Sequence, residues 1–445
     1  MLGGLRLIDL LLGMPVLVKV LGALSLILAL SRVCKHLTIA VLVAAVVLGL
    51  WSGHSPASML DIAWQRVSSF EDLVLLFVVL EVIWLSSQMA ATGVMEDLVK
   101  SVRGRVSRRT SMAVLPAVIG LLPMPGGALF SAPLVDRCDE NGEVHPGLKA
   151  QTNHWFRHIW EYWWPLYPGV LLAMQEAKLD IWQFVLLQLP LTLFAIGAGY
   201  LFLLRRIEGG TRRASGLAGE DVPAFLPLVL PIIVVIASYA VVRLSYWGVR
   251  TAWMGVPEMN RYLPMALGLL AAILVLQARR PIDSRRWWKI LFARRAMAML
   301  IIVAAVRVYG AFIDAELPGG QPLAELLRFE MAAWGIPLIA IVMLLPLVSG
   351  LATGLSIGFV GASFPIIVSL LGPAPSTGAL LSTVVLAYGF GYMGMLLSPV
   401  HVCLVVTSEH FETRLLRNMA GLLMPAIAML IAAFCMHSAV AWIFH

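Results

Sequence analysis

Between Asn153 and Trp164 the chain reads NHWFRHIWEYWW, placing an amide, a guanidinium, two imidazoles and a carboxylate inside a run of aromatic residues. On a helix, Arg157 and Glu161 share a face, as do Asn153 and Arg157, and His154 and His158. Arg157 offers a planar fork to a carboxylate. Glu161 can neutralise it as an ion pair or carry a proton. His154 and His158 have the spacing of metal ligands, but no acidic or cysteine ligand is arranged nearby in sequence. The expectation is therefore a wet, polar helix face rather than a metal centre. Trp155, Trp160, Trp163 and Trp164 read as packing or interface aromatics.

A second kind of chemistry lies in broken backbone. LLPMPGGALFSAPLVD (121–136) is apolar yet interrupted by Pro and Gly, and offers Pro125, Gly126, Gly127 and Ser131. In the second half of the chain the comparable residues are Ser349, Gly350, Thr353, Gly354, Ser356, Gly358 and Ser363, followed by Gly391, Ser398, Pro399 and His401. Helix breaks expose N–H groups that attract anions and carbonyls that coordinate cations. Gly127, Ser131, Gly358 and Ser363 are the candidates for lodging Na+. The competing reading of any one of these small residues is close helix packing.

The elements that hold these groups must be membrane helices. Only 13% of the 445 residues are charged, about half the share of a soluble protein, and mean hydropathy is +0.89. Apolar segments fall near 16–31, 37–52, 71–92, 153–175, 183–204, 222–244, 262–278, 296–314 and 419–443. The stretches 111–136 and 334–371 read as re-entrant hairpins, and 153–175 and 376–407 as helices broken in the middle. The net charge of +7 comes from basic residues in short loops, as the positive-inside rule predicts, and not from a nucleic-acid surface. With both hairpins returning to the side they entered from, the cytoplasmic loops hold 22 Lys and Arg and the opposite side 6. Both termini then lie outside, and residues 1–15 read as an amphipathic lead rather than a signal peptide.

The chain also echoes itself. GGALFSAPLV (126–135) aligns on GFVGASFPII (358–367), pairing Gly126 with Gly358, Ser131 with Ser363 and Pro133 with Pro365. The expected organisation is an all-α, inverted-repeat membrane protein: a first repeat over 1–204, a polar linker over 205–221 and a second repeat over 222–445. Glu81 and Arg307 are expected to pair or to line a scaffold, and Asp136 and Glu330 to be solvated at segment ends. Four scattered cysteines give neither a metal motif nor a disulfide framework. No GxSxG, HExxH or phosphate-loop pattern points to an enzyme, and no cofactor is expected beyond a coupling ion.

LLPMPGGALFSAPLVD, NHWFRHIWEYWWPLYPG and MLLSPVHVCLVVT together resemble domain-of-unknown-function family 401, a prokaryotic integral membrane family grouped with the ion transporter superfamily. The resemblance implies two re-entrant hairpins and two broken helices, and a homodimer in the cytoplasmic (inner) membrane with scaffold and mobile parts moving as an elevator. It places the hairpin tips at Gly126–Ser131 and Thr353–Ser363, and the helix breaks at Trp163–Gly169 and Gly394–His401. The Ser-Asn-Thr tips of dicarboxylate carriers are missing here. The resulting expectation is a secondary transporter of a small anionic organic solute, a carboxylate or sugar acid, coupled to Na+ or H+. The alternative is a Na+/H+ antiporter with Glu161 or Glu81 as proton carrier.

Overall fold

A computed structural model describes residues 13–34, 36–103, 107–121, 127–139, 142–207, 224–253, 255–318 and 320–444. The N-terminal lead, most of the linker, Pro125 and Gly126 lie outside the described residues. Twenty α-helices lie within them. The first ten are α1 (Val16–Cys34), α2 (Leu37–Trp51), α3 (Pro56–Val67), α4 (Phe70–Ala91), α5 (Val94–Arg103), α6 (Arg108–Gly120), α7 (Ala128–Asp136), α8 (Pro146–Arg157), α9 (Pro168–Glu176) and α10 (Ile181–Phe202). The second ten are α11 (Phe225–Ala252), α12 (Leu263–Arg279), α13 (Ser284–Leu291), α14 (Arg294–Asp314), α15 (Leu323–Ala333), α16 (Leu338–Thr353), α17 (Ser356–Leu370), α18 (Thr377–Leu396), α19 (Val402–His410) and α20 (Leu415–Ile443).

Among the described residues seven stretches are long and apolar enough to cross a membrane, and α15 with α16 forms a further apolar pair bent by 112°. This is a polytopic, all-α membrane protein. Leucine and valine leave these helices apolar on every side, and side chains such as Leu193, Leu226 and Leu274 remain exposed, the pattern of helices that face lipid as well as each other. The short helices α3 and α13, which the apolar segments did not foretell, are amphipathic. Ser55 and Asp283 cap their N-termini by accepting N–H groups of Ser58 and Arg286.

Among the described residues, α6 and α7 pack on each other to either side of residues 122–126, and α16 gives way to α17 at Gly354–Leu355. Gly354 closes α16 in the left-handed conformation at φ +64°, which glycine adopts without a Cβ penalty. The first broken helix differs from expectation. It begins at Pro146 and ends at Arg157, and residues 158–167 are turns, so the break is longer and earlier than Trp163–Gly169. Pro165 and Pro168 keep the segment from closing into a helix.

Backbone freed at such a break must find partners, because a buried carbonyl without one is costly. Tyr392 Oη donates to the carbonyl of His158, Thr192 Oγ1 to that of Ile159 at 2.8 Å, and Tyr388 Oη to that of Glu161 at 2.8 Å. In return the break's indoles donate outward, Trp160 to Ala117 O at 2.7 Å and Trp164 to Leu121 O at 2.9 Å. The tryptophans are thus packing aromatics, as expected, and Tyr388 and Tyr392 are the second half's contribution to the first half's break.

Helix packing follows a regular plan. Helix α1 packs on α2, and α11 on α12; α2 packs on α14, and α12 on α4. Likewise α6 packs on α8 and α16 on α18, while α7 meets α19 and α17 meets α9. Small residues allow the closest approaches: a Cβ on Gly350 would lie 2.3 Å from Gly391 O, and one on Gly394 2.1 Å from Leu347 O. For Gly350 and Gly391 the packing reading therefore holds.

The expected Glu81–Arg307 pair does not form. Arg307 Nε binds Asp72 Oδ1 at 2.5 Å and its Nη1 binds Glu176 Oε1 at 2.6 Å, tying α14 to α4 and to the end of α9. Two buried carboxylates around one guanidinium satisfy its fork better than one could. Glu330 is also engaged rather than solvated: its carboxylate accepts the N–H groups of Val16 and Leu17, at 2.8 and 2.7 Å, capping α1. Asp136 accepts Lys149 Nζ at 3.0 Å.

Candidate functional site

Helix α8 ends at Arg157 because His158 departs to φ −106°, ψ 1° and caps it. Arg157 and Glu161 are therefore not one helical turn apart, and the expected shared face is absent. The Glu161 carboxylate instead faces His158, with Oε1 3.7 Å from Nε2. Asn153 does lie one turn before Arg157, and its Nδ2 donates to Thr407 Oγ1 at 3.0 Å.

Arg157 is buried and pressed against the first hairpin. A Cβ on Gly127, the residue that caps α7, would lie 2.3 Å from its Nη2 and 2.6 Å from its Cζ. A Cβ on Gly120, at the end of α6, would lie 1.9 Å from the Arg157 carbonyl. Only glycine permits the hairpin backbone to come so near. On the other side the Cys403 thiol, in the first turn of α19, is a neighbour of the guanidinium.

The second hairpin closes the ring. The backbone N of His401, the residue that caps α19, lies 2.9 Å from where a Cβ on Gly354 would stand, and His401 Nδ1 is 2.9 Å from Gly354 O. Ser398 Oγ donates to Leu351 O at 2.7 Å, fixing this break to the end of α16. A Cβ on Gly169, in the first turn of α9, would lie 2.5 Å from both Cβ and Oγ of Ser356, the first residue of α17. Arg157 thus lies against the N-terminus of α7, α7 packs on α19, and the N-termini of α19, α17 and α9 touch in turn. Each terminus carries partial positive charge, so the electrostatics favour an anion.

Other expected residues have different duties. Ser363 Oγ donates to Phe359 O at 2.6 Å and Thr353 Oγ1 to Ser349 O at 2.8 Å, so both hydroxyl protons are spent within their own hairpin. A Cβ on Gly358 would lie 2.4 Å from Thr353 Oγ1, which makes it a packing position. Ser131 is fully buried, and its Oγ has no hydrogen-bond partner among the described residues.

Residues 17–440 match the family model described as protein of unknown function DUF401. The chain belongs to this family. The expectation drawn from its motifs is met over nearly the whole length, and no curated protein matches the chain. The family description supplies neither solute nor coupling ion, so what this DUF401 chain does has to be argued from its geometry.

Two features of that geometry were not legible beforehand. The imidazoles of His154 and His158 are buried rather than wet, at 0% and 2% exposure, and His401 joins them. Their ring centroids form a near-equilateral triangle with sides of 4.8, 5.0 and 4.8 Å. Two wide clefts among the described residues lie elsewhere. One of about 830 Å3 is lined by His54, Arg66, Asp72 and Arg307, and one of about 1030 Å3 by Lys178, Asp180, Arg243 and Arg261. Neither includes Arg157 or any of the four helix N-termini. Asn153 and Arg157 are buried, at 0% and 3% exposure.

Proposed function

We propose that the protein is a secondary active transporter of a small anionic organic solute, a carboxylate or sugar acid, coupled to Na+ or H+. The observation that carries this reading is Arg157, buried and pressed against the N-terminus of α7, with the N-termini of α19, α17 and α9 in contact with one another beyond it. An arginine held in place beforehand can bind a carboxylate bidentately, and the converging N–H groups add to the same preference.

The architecture proposed for this task is an inverted repeat, α1–α10 against α11–α20, working as an elevator. Its support is the packing plan: contacts recur when ten is added to both helix numbers, as in α1–α2 with α11–α12, α2–α14 with α12–α4, and α7–α19 with α17–α9. The helices α4 and α14 pair with each other, as do α10 and α20, which is what elements beside a twofold pseudo-axis do. The homodimer, the cytoplasmic membrane and the outside location of both termini belong to the same proposal. The exposed apolar side chains supply a face for lipid and for a second copy.

A second reading, the Na+/H+ antiporter, has one observation in its favour. Glu81 is fully buried in α4, and neither carboxylate oxygen has a hydrogen-bond partner among the described residues. Such a carboxyl is costly when ionised and suits a proton carrier. The deciding experiment is a thermal-shift screen of purified protein against carboxylates and sugar acids, with and without sodium. A ligand bound only by the folded state raises stability by mass action. A saturable, sodium- or pH-dependent shift with one acid supports the symporter. Shifts with sodium and none with any acid reject it in favour of the antiporter.

A further inference from the structure

The three imidazoles invite a hydrogen-bond count. His154 Nε2 lies 3.0 Å from Leu396 O, His158 Nδ1 2.7 Å from His154 O, and His401 Nδ1 2.9 Å from Gly354 O. A carbonyl oxygen only accepts, so each of these nitrogens must carry a proton. In the neutral rings the other nitrogens are then left with lone pairs: His154 Nδ1, His158 Nε2 and His401 Nε2. These three point toward one another. His158 Nε2 and His401 Nε2 are only 3.1 Å apart, and His154 Nδ1 is buried without a hydrogen-bond partner. The Cys403 thiol lies within reach of His158 and His401, yet it has one proton to give. Three lone pairs brought together in a buried cluster call for a positive charge among them, either an added proton on one ring beside Glu161, whose Oε1 lies 3.7 Å from His158 Nε2, or a metal ion.

We infer that His154 Nδ1, His158 Nε2 and His401 Nε2 bind a single transition-metal ion of the zinc class. The ligand type fits, because neutral imidazole is the usual nitrogen donor to zinc and its neighbours. The second shell fits better still. Each ring has its far N–H on a backbone carbonyl, the arrangement that fixes tautomer and orientation in histidine metal sites. The distances fit as well. One ring nitrogen of each histidine lies within 4.8 Å of the other two, whereas ligands about 2.0–2.1 Å from a tetrahedral zinc stand roughly 3.3 Å apart. His158 and His401 are already at that spacing, and His154 has about 1.5 Å at most to close. Cys403 stands outside this group of ligand atoms, so the fourth position falls to a water or a solute group. The ion would join the end of α8 in the first half to the cap of α19 in the second. This inference is independent of whether the protein transports anything.

The sequence concealed the site. The His154–His158 pair lacks a third ligand within its own half, and His401 lies 243 residues beyond His158.

The test uses full-length protein purified through a tag without histidine, stripped with chelator, and reloaded with Zn2+ or Co2+. One ion per chain is expected by elemental analysis. Bound Co2+ should give the intense visible bands of a tetrahedral site. His158→Gln and His401→Gln should each weaken Co2+ binding by about 100-fold or more, beyond the 10–100-fold cost of losing a second-shell partner. His145→Gln, on the far end of α8, should leave binding unchanged. Should the ligand variants fail to fold, zinc X-ray absorption on the unaltered protein decides instead. Three histidine nitrogens at about 2.0–2.1 Å support the site, and fewer than two overturn it. Wild-type protein that takes up no metal, or His variants that bind it as tightly as wild type, overturn it equally.

Discussion

Arg157 is buried, charged and in contact with a hairpin backbone, so two substitutions there separate charge from fork. Arg157→Met keeps much of the apolar stem and removes the cation; acid-induced stabilisation in the thermal-shift screen should vanish. Arg157→Lys keeps the charge but cannot bind both oxygens of a carboxylate in one plane, and should retain only a weakened response. An unchanged response in the methionine variant would remove Arg157 from the solute site. Arg307 makes the contrasting case of a structural charge. Replacing it by Met leaves Asp72 and Glu176 buried without their partner, and breaking a buried pair in this way costs about 3–5 kcal/mol. The unfolding temperature in detergent should fall steeply, and Asp72→Asn combined with Glu176→Gln should recover part of the loss.

At the scale of elements, the turn between α7 and α8 shows how charge holds the first hairpin against the first broken helix. Asp139 accepts Arg108 Nη2, Lys149 Nζ at 2.8 Å and the backbone N–H of Val144 at 3.0 Å. Burial pushes the Asp139 carboxyl up, but the bonds from Lys149 and from the backbone outweigh it and hold the carboxyl below its ordinary range. A depressed pKa stabilises the fold above the unfolded-state value, near 3.9, and that stability is lost as pH falls through the lower folded-state value. Wild type should therefore lose unfolding temperature on acidification below about pH 4 more steeply than Asp139→Asn, and parallel profiles would show that the carboxylate contributes nothing. Elements were also where the sequence was most legible. Apolar runs gave α1, α2, α4, α10, α11, α12, α14 and α20 to within a few residues at most ends, and Gly and Pro marked the α16–α17 turn and both helix breaks. Local signals could not show that α8 stops at Arg157, because that end is fixed by Tyr388, Tyr392 and Thr192 reaching in from other helices. Nor could they pair Arg307 with Asp72 and Glu176, which lie 235 and 131 residues away.

At the scale of the whole molecule, the packing plan is regular except in one respect that bears on movement. Helix α14 packs along α17, whereas α4, its counterpart, makes no comparable contact with α7 among the described residues. Leu129 and Phe130, in the first turn of α7, are correspondingly exposed at 65% and 57%. If the halves are equivalent in design, a second state should exist in which α7 docks on α4 and α17 leaves α14. Val306 and Gly361 mark the contact that must break: a Cβ on Gly361 would lie 3.2 Å from Val306 Cβ, close to the separation a disulfide bridges, about 3.5–4.5 Å. In protein whose exposed Cys34 and Cys435 are replaced by Ser, Val306→Cys with Gly361→Cys should cross-link on oxidation. Uptake of the acid found by thermal shift should then stop and return on reduction, while the acid still binds the cross-linked protein. Binding without transport is the signature of a site intact but held on one side. Full uptake by cross-linked protein would mean that α17 need not move past α14, and the elevator would have to be abandoned.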